Sequence, residues 1–296
     1  LLLTIRLSEA ERVAALSYSA TPGGEDVSSP TELDVEVGGF RDIATNLNVE
    51  LIGLQLKEIP DTTNPLGSSG IIRLTDGVIL LTLSETIRTS TVAVNLININ
   101  NVTQITEIGL VGSTLINEDL PTLTLQLTES MRARAVEISG TAGGDLVPSI
   151  LNISTGAMKD MAGNDILGVE LLLSEIPDTG QPRMENASIE LTEGILIIQL
   201  NETIDVTPVS LFNLDTAFIS DISNGFDVPL TGSFLTEIDS TFLTIRLTEA
   251  QRVQAIVRSD LAGGNFNPLH FNTQPNTFVD LAGNNNTYAN VIVAEF

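Results

Sequence analysis

Carboxylates are the residues of this sequence best able to do chemistry. Asp and Glu number 38 against 13 Lys and Arg, a formal net charge of −25 over 296 residues. Two carboxylates flanking a sugar linkage could serve glycoside hydrolysis. The candidates recur, however: Glu85 at a place equivalent to Glu202, and Glu9 at one equivalent to Glu129 and Glu249. An active site would differ between copies, so a carboxylate repeated in each copy reads as scaffold. The single histidine, His270 in NPLHFN, has no cysteine partner and reads as a structural residue rather than a base. Absence of cysteine excludes disulfides, thiolate metal sites and thiol nucleophiles. Gly23-Gly24, Gly143-Gly144 and Gly263-Gly264 are not followed by a helix carrying Lys-Ser/Thr, so they are turns rather than phosphate loops. The sequence predicts no catalytic residues and no enzyme.

The copies belong to a long internal repeat. LTIRLSEAERV at Leu3–Val13 returns as LTLQLTESMRA at Leu123–Ala133 and as LTIRLTEAQRV at Leu243–Val253. A preceding half-unit occurs twice, as IIRLTDGVILLTLSETI from Ile71 and SIELTEGILIIQLNETI from Ser188. Units of this length are ordinary domains in a row rather than solenoid repeats of about 20 to 50 residues. The expected organisation is the back half of a unit over residues 1–61, completed by another segment or subunit, then whole units over 70–178 and 185–296. KEIPDTTNPLGSSG and SEIPDTGQP between them read as short, semi-stiff linkers.

Within a unit, short alternating runs separated by turn residues predict strands. IIRL and VILLTLS flank an Asp-Gly turn; TVAVNLININ, TQITEIGLV, TLTLQL, ARAVEIS, SILNIS and LGVELLL follow. The fold class expected is all-β: tandem antiparallel β-sandwich domains, jelly-roll or Ig-like, of about 120 residues. With no Trp and 4% aromatics, their cores should be aliphatic. One helical turn interrupts the strands. Ser8 with Glu11, and Thr248 with Gln251, form capping boxes, whereas Thr128 lacks the reciprocal side chain. Arg12, Arg132 and Arg252 are placed near the end of this turn, where a cation suits the helix dipole.

A turn motif Asp-x-Ala-Gly-Asn precedes the last strand, with Asp160, Gly163 and Asn164 in one copy and Asp280, Gly283 and Asn284 in another. Its Asp can accept from backbone N–H groups two residues on, and Gly-Asn can take positive φ to reverse the chain. The copy at Asp42–Asn46 has Thr45 for Gly, which predicts a different turn. On this motif and the preceding LTLTL-type strand, the chain resembles the bacterial Ig-like repeats of surface-layer and adhesin proteins. The resemblance covers mainly the back half of each unit. It implies tandem β-sandwiches outside the cell acting as spacers, stalks or adhesive elements, with no implied activity. No cofactor is expected; Ca²⁺ is the alternative, through convergence of Asp145, Asp160 and Asp165, since that ion needs about six to eight oxygen ligands.

Asn-x-Ser/Thr acceptors stand at Asn101, Asn152, Asn186, Asn201 and Asn285. Covalent glycans at these positions are an expectation for a secreted product. Strong negative charge repels nucleic acid and anionic membrane, and no apolar run reaches the roughly 18 residues of a span. The expected function is a structural subunit of an extracellular, glycosylated filament, a homo-oligomer assembled head to tail by strand exchange or half-domain complementation. LLLTIRL is the candidate inserted strand. The alternative is a stalk or adhesin segment of a longer surface protein. A carbohydrate-binding module is less favoured, since Tyr18 and Tyr288 are the only tyrosines to stack on sugar.

Overall fold

A computed structural model describes residues 3–25, 29–102, 107–116 and 118–296. The chain is mostly β, with three short helices, and forms β-sandwich units. The first segment holds helix α1 (Glu9–Ser17) and a two-stranded ladder of β1 (Glu32–Val35) with β2 (Leu51–Gln55). Up to residue 60, Leu16 is the one buried apolar side chain among the described residues.

The next block contains β3 (Gly67–Arg73), β4 (Val78–Leu83), β5 (Ile97–Asn100), β6 (Ile108–Gly109), β7 (Thr114–Leu115), β8 (Thr122–Gln126), α2 (Glu129–Glu137), β9 (Ile150–Ile153) and β10 (Val169–Ile176). Its strands run in the order β6-β5-β9-β10-β3-β4-β8-β7. Strand β10 turns the corner: Val169–Leu172 pair with β9, and Leu173–Ile176 pair with β3. Alternation in β8 puts Leu123 and Leu125 inside and Thr122, Thr124 and Gln126 toward solvent. The buried face joins Ile72, Ile79, Leu81, Ile99, Leu151 and Ile153 in one core.

The last block repeats this plan with β11 (Met184–Glu190), β12 (Ile195–Asp205), β13 (Ala217–Ser220), β14 (Val228–Pro229), β15 (Phe234–Leu235), β16 (Ser240–Arg246), α3 (Glu249–Arg258), β17 (His270–Thr273), β18 (Val279–Asp280) and β19 (Ala289–Glu295). Strand β19 joins β17 to β11 as β10 joins β9 to β3. It has its own core.

Several expectations need correction. The sheets are mixed rather than purely antiparallel, because β10–β3 and β11–β19 are parallel pairs. A single strand serving both layers enters the second layer in the direction it left the first. TVAVNLININ is a strand only over Ile97–Asn100, preceded by 3-10 turns at Thr89–Thr91 and Val94–Leu96. ARAVEIS belongs mostly to α2, a helix longer than one turn, because the Thr128 cap continues into a run of Ala and Arg that favour helix. In TQITEIGLV, residues 103–106 lie outside the described residues, and Ile108–Gly109 is a short strand. The two segments read as linkers partly belong to strands: Gly67–Gly70 open β3 and Ser174–Ile176 close β10. The last core is not wholly aliphatic, since Phe271 and a stacked pair, Phe212 and Phe278, are buried there.

Capping follows the sequence. Ser8 and Thr248 make reciprocal boxes, and Thr128 accepts from Met131 N without a return bond. Two separate cores predict two separable unfolding transitions. Leu125→Ala and Ile245→Ala each remove a fully buried side chain, costing about 3 kcal/mol. Calorimetry should show each variant lowering a different transition; a shared shift would mean one cooperative unit.

Candidate functional site at the ionic junctions between units

Each junction is organised by the arginine in the first turn of a helix. Arg132 reaches one turn back, its Nε and Nη2 donating to Glu129 Oε2 and Oε1 at 2.6 and 2.8 Å. Its Nη1 donates to Leu74 O at 3.0 Å and to Asp178 Oδ2 at 2.7 Å, and Nη2 also reaches Glu202 Oε2 at 3.2 Å. Glu129 Oε1 in turn accepts from Thr203 N at 2.8 Å. One guanidinium thus ties α2 to the segment after β10 and to β12 of the next unit. The bidentate fork suits a planar guanidinium and would not suit lysine.

The same arrangement occurs one repeat earlier. Arg12 binds Glu9 at 2.7 and 2.8 Å, Asp61 at 2.8 Å and Glu85 at 3.1 Å, and Glu9 Oε1 accepts from Thr86 N at 2.8 Å. Among the described residues Arg12 has no counterpart to the Leu74 carbonyl bond. Its side chain is 32% exposed where that of Arg132 is 5%. Arg252 keeps the fork to Glu249 at 2.7 and 2.8 Å and a bond to Leu191 O at 3.0 Å. No carboxylate of another unit reaches it among the described residues. Arg12 and Arg132 therefore act across units instead of serving a helix C-terminus, while Arg252 ties its helix to Leu191 within its own unit.

The turn motifs sit on the other side of each junction. Asp160 Oδ1 accepts from Asn164 N and Oδ2 from Asn164 Nδ2, both at 2.8 Å; Asp280 and Asn284 do the same. The amide four residues on is bonded, the backbone N–H of Ala282 two residues on also favours the Asp280 carboxylate, and Gly163 and Gly283 take positive φ, at 95° and 86°. Asn164 also donates to Asp61 O, and Asn284 to Asp178 O, both at 3.3 Å. Thr45 does not force another turn: it adopts φ 68°, and Asp42 accepts from Asn46 as its counterparts do. A β-branched residue in that region carries about 1–2 kcal/mol of strain.

Three carboxylate oxygens meet at each junction, within 4.8 Å of one another: Asp61, Glu85 and Asp160 at the first, Asp178, Glu202 and Asp280 at the second. An all-oxygen donor set suits a hard cation such as Ca²⁺. The cation these groups face in the chain itself is arginine. Asp160 does not meet Asp145 and Asp165, as the sequence suggested: Asp145 accepts from Asn101, and Asp165 pairs with Lys159. Burial pushes Glu202 up to about 7, reinforced by Asp178 and Asp280 and opposed by Arg132. Burial likewise pushes Glu85 up to about 7, with Asp61 and Asp160 adding to it. The Arg12 fork holds Glu9 down at about 2.

The sequence reading paired Glu85 with Glu202 and Glu9 with Glu129 as recurring scaffold residues, and the structure brings each pair of types together at a junction. It missed Asp61 and Asp178. The signal was present: EIPDT occurs identically at Glu58–Thr62 and Glu175–Thr179. The acceptor asparagines lie elsewhere. Asn186, Asn201 and Asn285 are exposed and Asn152 is half-buried in β9. Asn101 is buried, its Nδ2 donating to Ile138 O and Asp145 Oδ2. His270 is half-buried, with Nδ1 facing Asn290.

No protein-family model matches the sequence, and no curated protein matches it. Among solved structures, the N-terminal part of the bacterial S-layer protein SbsC aligns at 11% identity and TM-score 0.28, covering 63% of this chain and 45% of that one. SbsC domains 1–6 align at 9% identity and TM-score 0.29, covering 79% and 26%. Four Ig domains of Dscam1 align at 12% identity and TM-score 0.18, covering 78% and 52%. The chain thus spans about half or less of these S-layer neighbours, and superpositions this loose carry no functional argument.

Two outcomes test the junctions. Arg132→Met strands buried Asp178 and Glu202 without their cation and should cost about 3 kcal/mol or more in urea unfolding. Arg12→Met should cost less and Arg252→Met least, in the order of their inter-unit pairing. For pH, the folded values of Glu85 and Glu202 lie above the ordinary 4.5. Folding then takes up protons, so their contribution is full below pH 4.5 and is lost as pH rises to about 7. Urea midpoints measured across that window should fall with pH in the native chain and fall less steeply in Glu202→Gln.

Proposed function

We infer that this chain is a structural component of an extracellular surface assembly. Its β-sandwich units lock end to end, and copies associate head to tail through the exposed apolar run at residues 3–7. One observation carries the reading. Residues 3–7 correspond to β8 and β16, the strands that pair with β4 and β12. Leu3, Ile5 and Leu7 are 68%, 68% and 48% exposed, whereas Leu123, Leu125 and Leu127 of the next copy do not exceed 5%. A row of unpaired backbone groups with an apolar face is a template for a strand from another chain. A contact of that kind between unlike ends does not close and so propagates.

The surface fits an exposed, unreactive role. Of the recurring carboxylates, Glu9, Glu85, Glu129 and Glu202 are consumed in the junctions, and no helix among the described residues is long and apolar enough to cross a membrane. Glycans on Asn152, Asn186, Asn201 and Asn285 belong to this proposal; at Asn101 a glycan would break two hydrogen bonds of the buried amide. The second reading, a stalk within a longer surface chain, is favoured by the stiffness that a buried four-residue ion network gives the second junction.

Electron microscopy and light scattering of the intact chain test the assembly. Ordered filaments are expected, and a peptide of the sequence of residues 71–87, which carries the strand pair β3 and β4, should inhibit their growth. A stable folded monomer, indifferent to that peptide at all concentrations, would leave only the stalk.

A further inference from the structure

The last unit carries an apolar groove on the solvent side of its sheet, and a glycan acceptor stands inside it. Strands β11, β12, β16 and β19 set one row of residues side by side. Asn186 pairs with Gln199 and Gln199 with Phe242, while Ile292 precedes Val293, the partner of Ala187. Ala187, Ile198, Leu243 and Val293 are buried in the core, so strand alternation turns this row to the outer face. Phe242 is 54% and Ile292 64% exposed, and Ile197 is exposed in the next row. Together they line a groove of about 410 Å³ with Asn186 and Gln199. That volume falls within the range of small-ligand sites, about 300–1,000 Å³.

The same face stays open in the unit that has a neighbour after it. Leu80 and Leu172 stand at the places of Ile197 and Ile292 and are also exposed. The rest of the row differs between the two units. Ser69, Thr82 and Thr122 hold the places of Asn186, Gln199 and Phe242. An acceptor of the form Asn-x-Ser and an aromatic ring thus enter the same row together, on different strands. The other acceptors have different surroundings. Asn152 is flanked by Asn98 and Glu170, and Asn201 and Asn285 line a polar cleft with Arg183 and Glu202. Among them Asn186 is the one set in a strand row with an aromatic side chain.

We propose that Asn186 carries an N-linked glycan whose first two sugars lie along the groove, over Gln199 and against the ring of Phe242. The proposal rests on the glycosylated-surface reading and goes beyond it by naming the acceptor whose glycan is held and the residue that holds it. Attachment breaks the C1–O bond of a lipid-diphosphate-linked oligosaccharide and forms C1–Nδ2. The lipid diphosphate and one amide proton leave. Asn186 Nδ2 donates to Gln199 Oε1 at 3.1 Å. Its second hydrogen survives attachment, so that bond can hold the amide in the plane of the row and point the sugar across the sheet. Phe242 lies two strands from Asn186, about 10 Å. The first sugar spans Gln199 and the second reaches the ring. A pyranose offers C–H bonds on one face, and these suit the negative face of an aromatic ring. Covering the groove also removes apolar surface from water.

Secretion of the intact chain from cells that attach N-glycans tests it, with glycopeptide mass spectrometry and timed release by peptide N-glycosidase from the folded protein. Asn186 should be occupied. Its glycan should be released at least tenfold more slowly from the parent than from Phe242→Thr, which supplies the residue of the other unit and suits a strand. Far-UV circular dichroism should match between the two. Should threonine disturb folding, Phe242→Leu keeps an apolar side chain without the ring and should also speed release. Equal release rates from folded parent and variant mean that the groove does not hold the glycan, while the glycosylated reading stands. An unmodified Asn186 beside other occupied acceptors overturns the proposal and leaves that reading intact. Slow release that vanishes on dilution assigns the cover to a second copy and equally overturns it. A chain with every acceptor bare overturns both.

Discussion

A buried guanidinium fixes how one unit sits on the next. Taking an ion out of water costs several kcal/mol, so a buried arginine persists only where its donors are met by well-placed acceptors. Arg132 meets that condition with Glu129, Leu74 O, Asp178 and Glu202. These groups come from a helix, a strand end, the segment between units and a strand of the following unit. None can move without exposing a charge to a dry, unpaired site. The geometry of the repeat array therefore follows from one side chain more than from the sheets, which stop at each unit's edge.

The network carries an excess of negative charge, and that excess gives it a chemical character. Glu129, Asp178 and Glu202 pair with Arg132 and Asp280 lies beside the last two, so one cation faces several carboxylates, and burial raises Glu202 into the neutral range. Arg132 itself is pushed down by burial and raised further by these partners, so it stays charged. The first junction repeats the scheme with less shielding of Arg12.

The turn motif has a structural rather than a chemical use. Its Asp is spent holding the amide and side chain of Asn four residues on, and its Gly takes the left-handed backbone. What remains exposed is a compact apolar tip that fits against a Gly-Gly turn. The strained copy with Thr45 keeps the same hydrogen bonds, which shows that the Asp–Asn cage, more than glycine, defines the turn.

Local chemistry was legible in the sequence because it is short-ranged. Strand alternation in TLTLQL, the Ser8 and Thr248 caps and the repeat period each depend on residues a few positions apart, and the all-β sandwich fold follows from them. Where helix and strand signals overlapped, as in ARAVEIS and TVAVNLININ, period-two alternation misled, since neighbours in the fold decided between them. Asp61 and Asp178 looked like linker residues because their partners are tens of residues away. Asp178 meets Arg132, 46 positions back, and Asp280 lies beside Asp178 and Glu202 through a turn. Only packing of one unit on another brings such groups within a few ångströms, and only that packing decides which carboxylates are buried and which arginine is shielded.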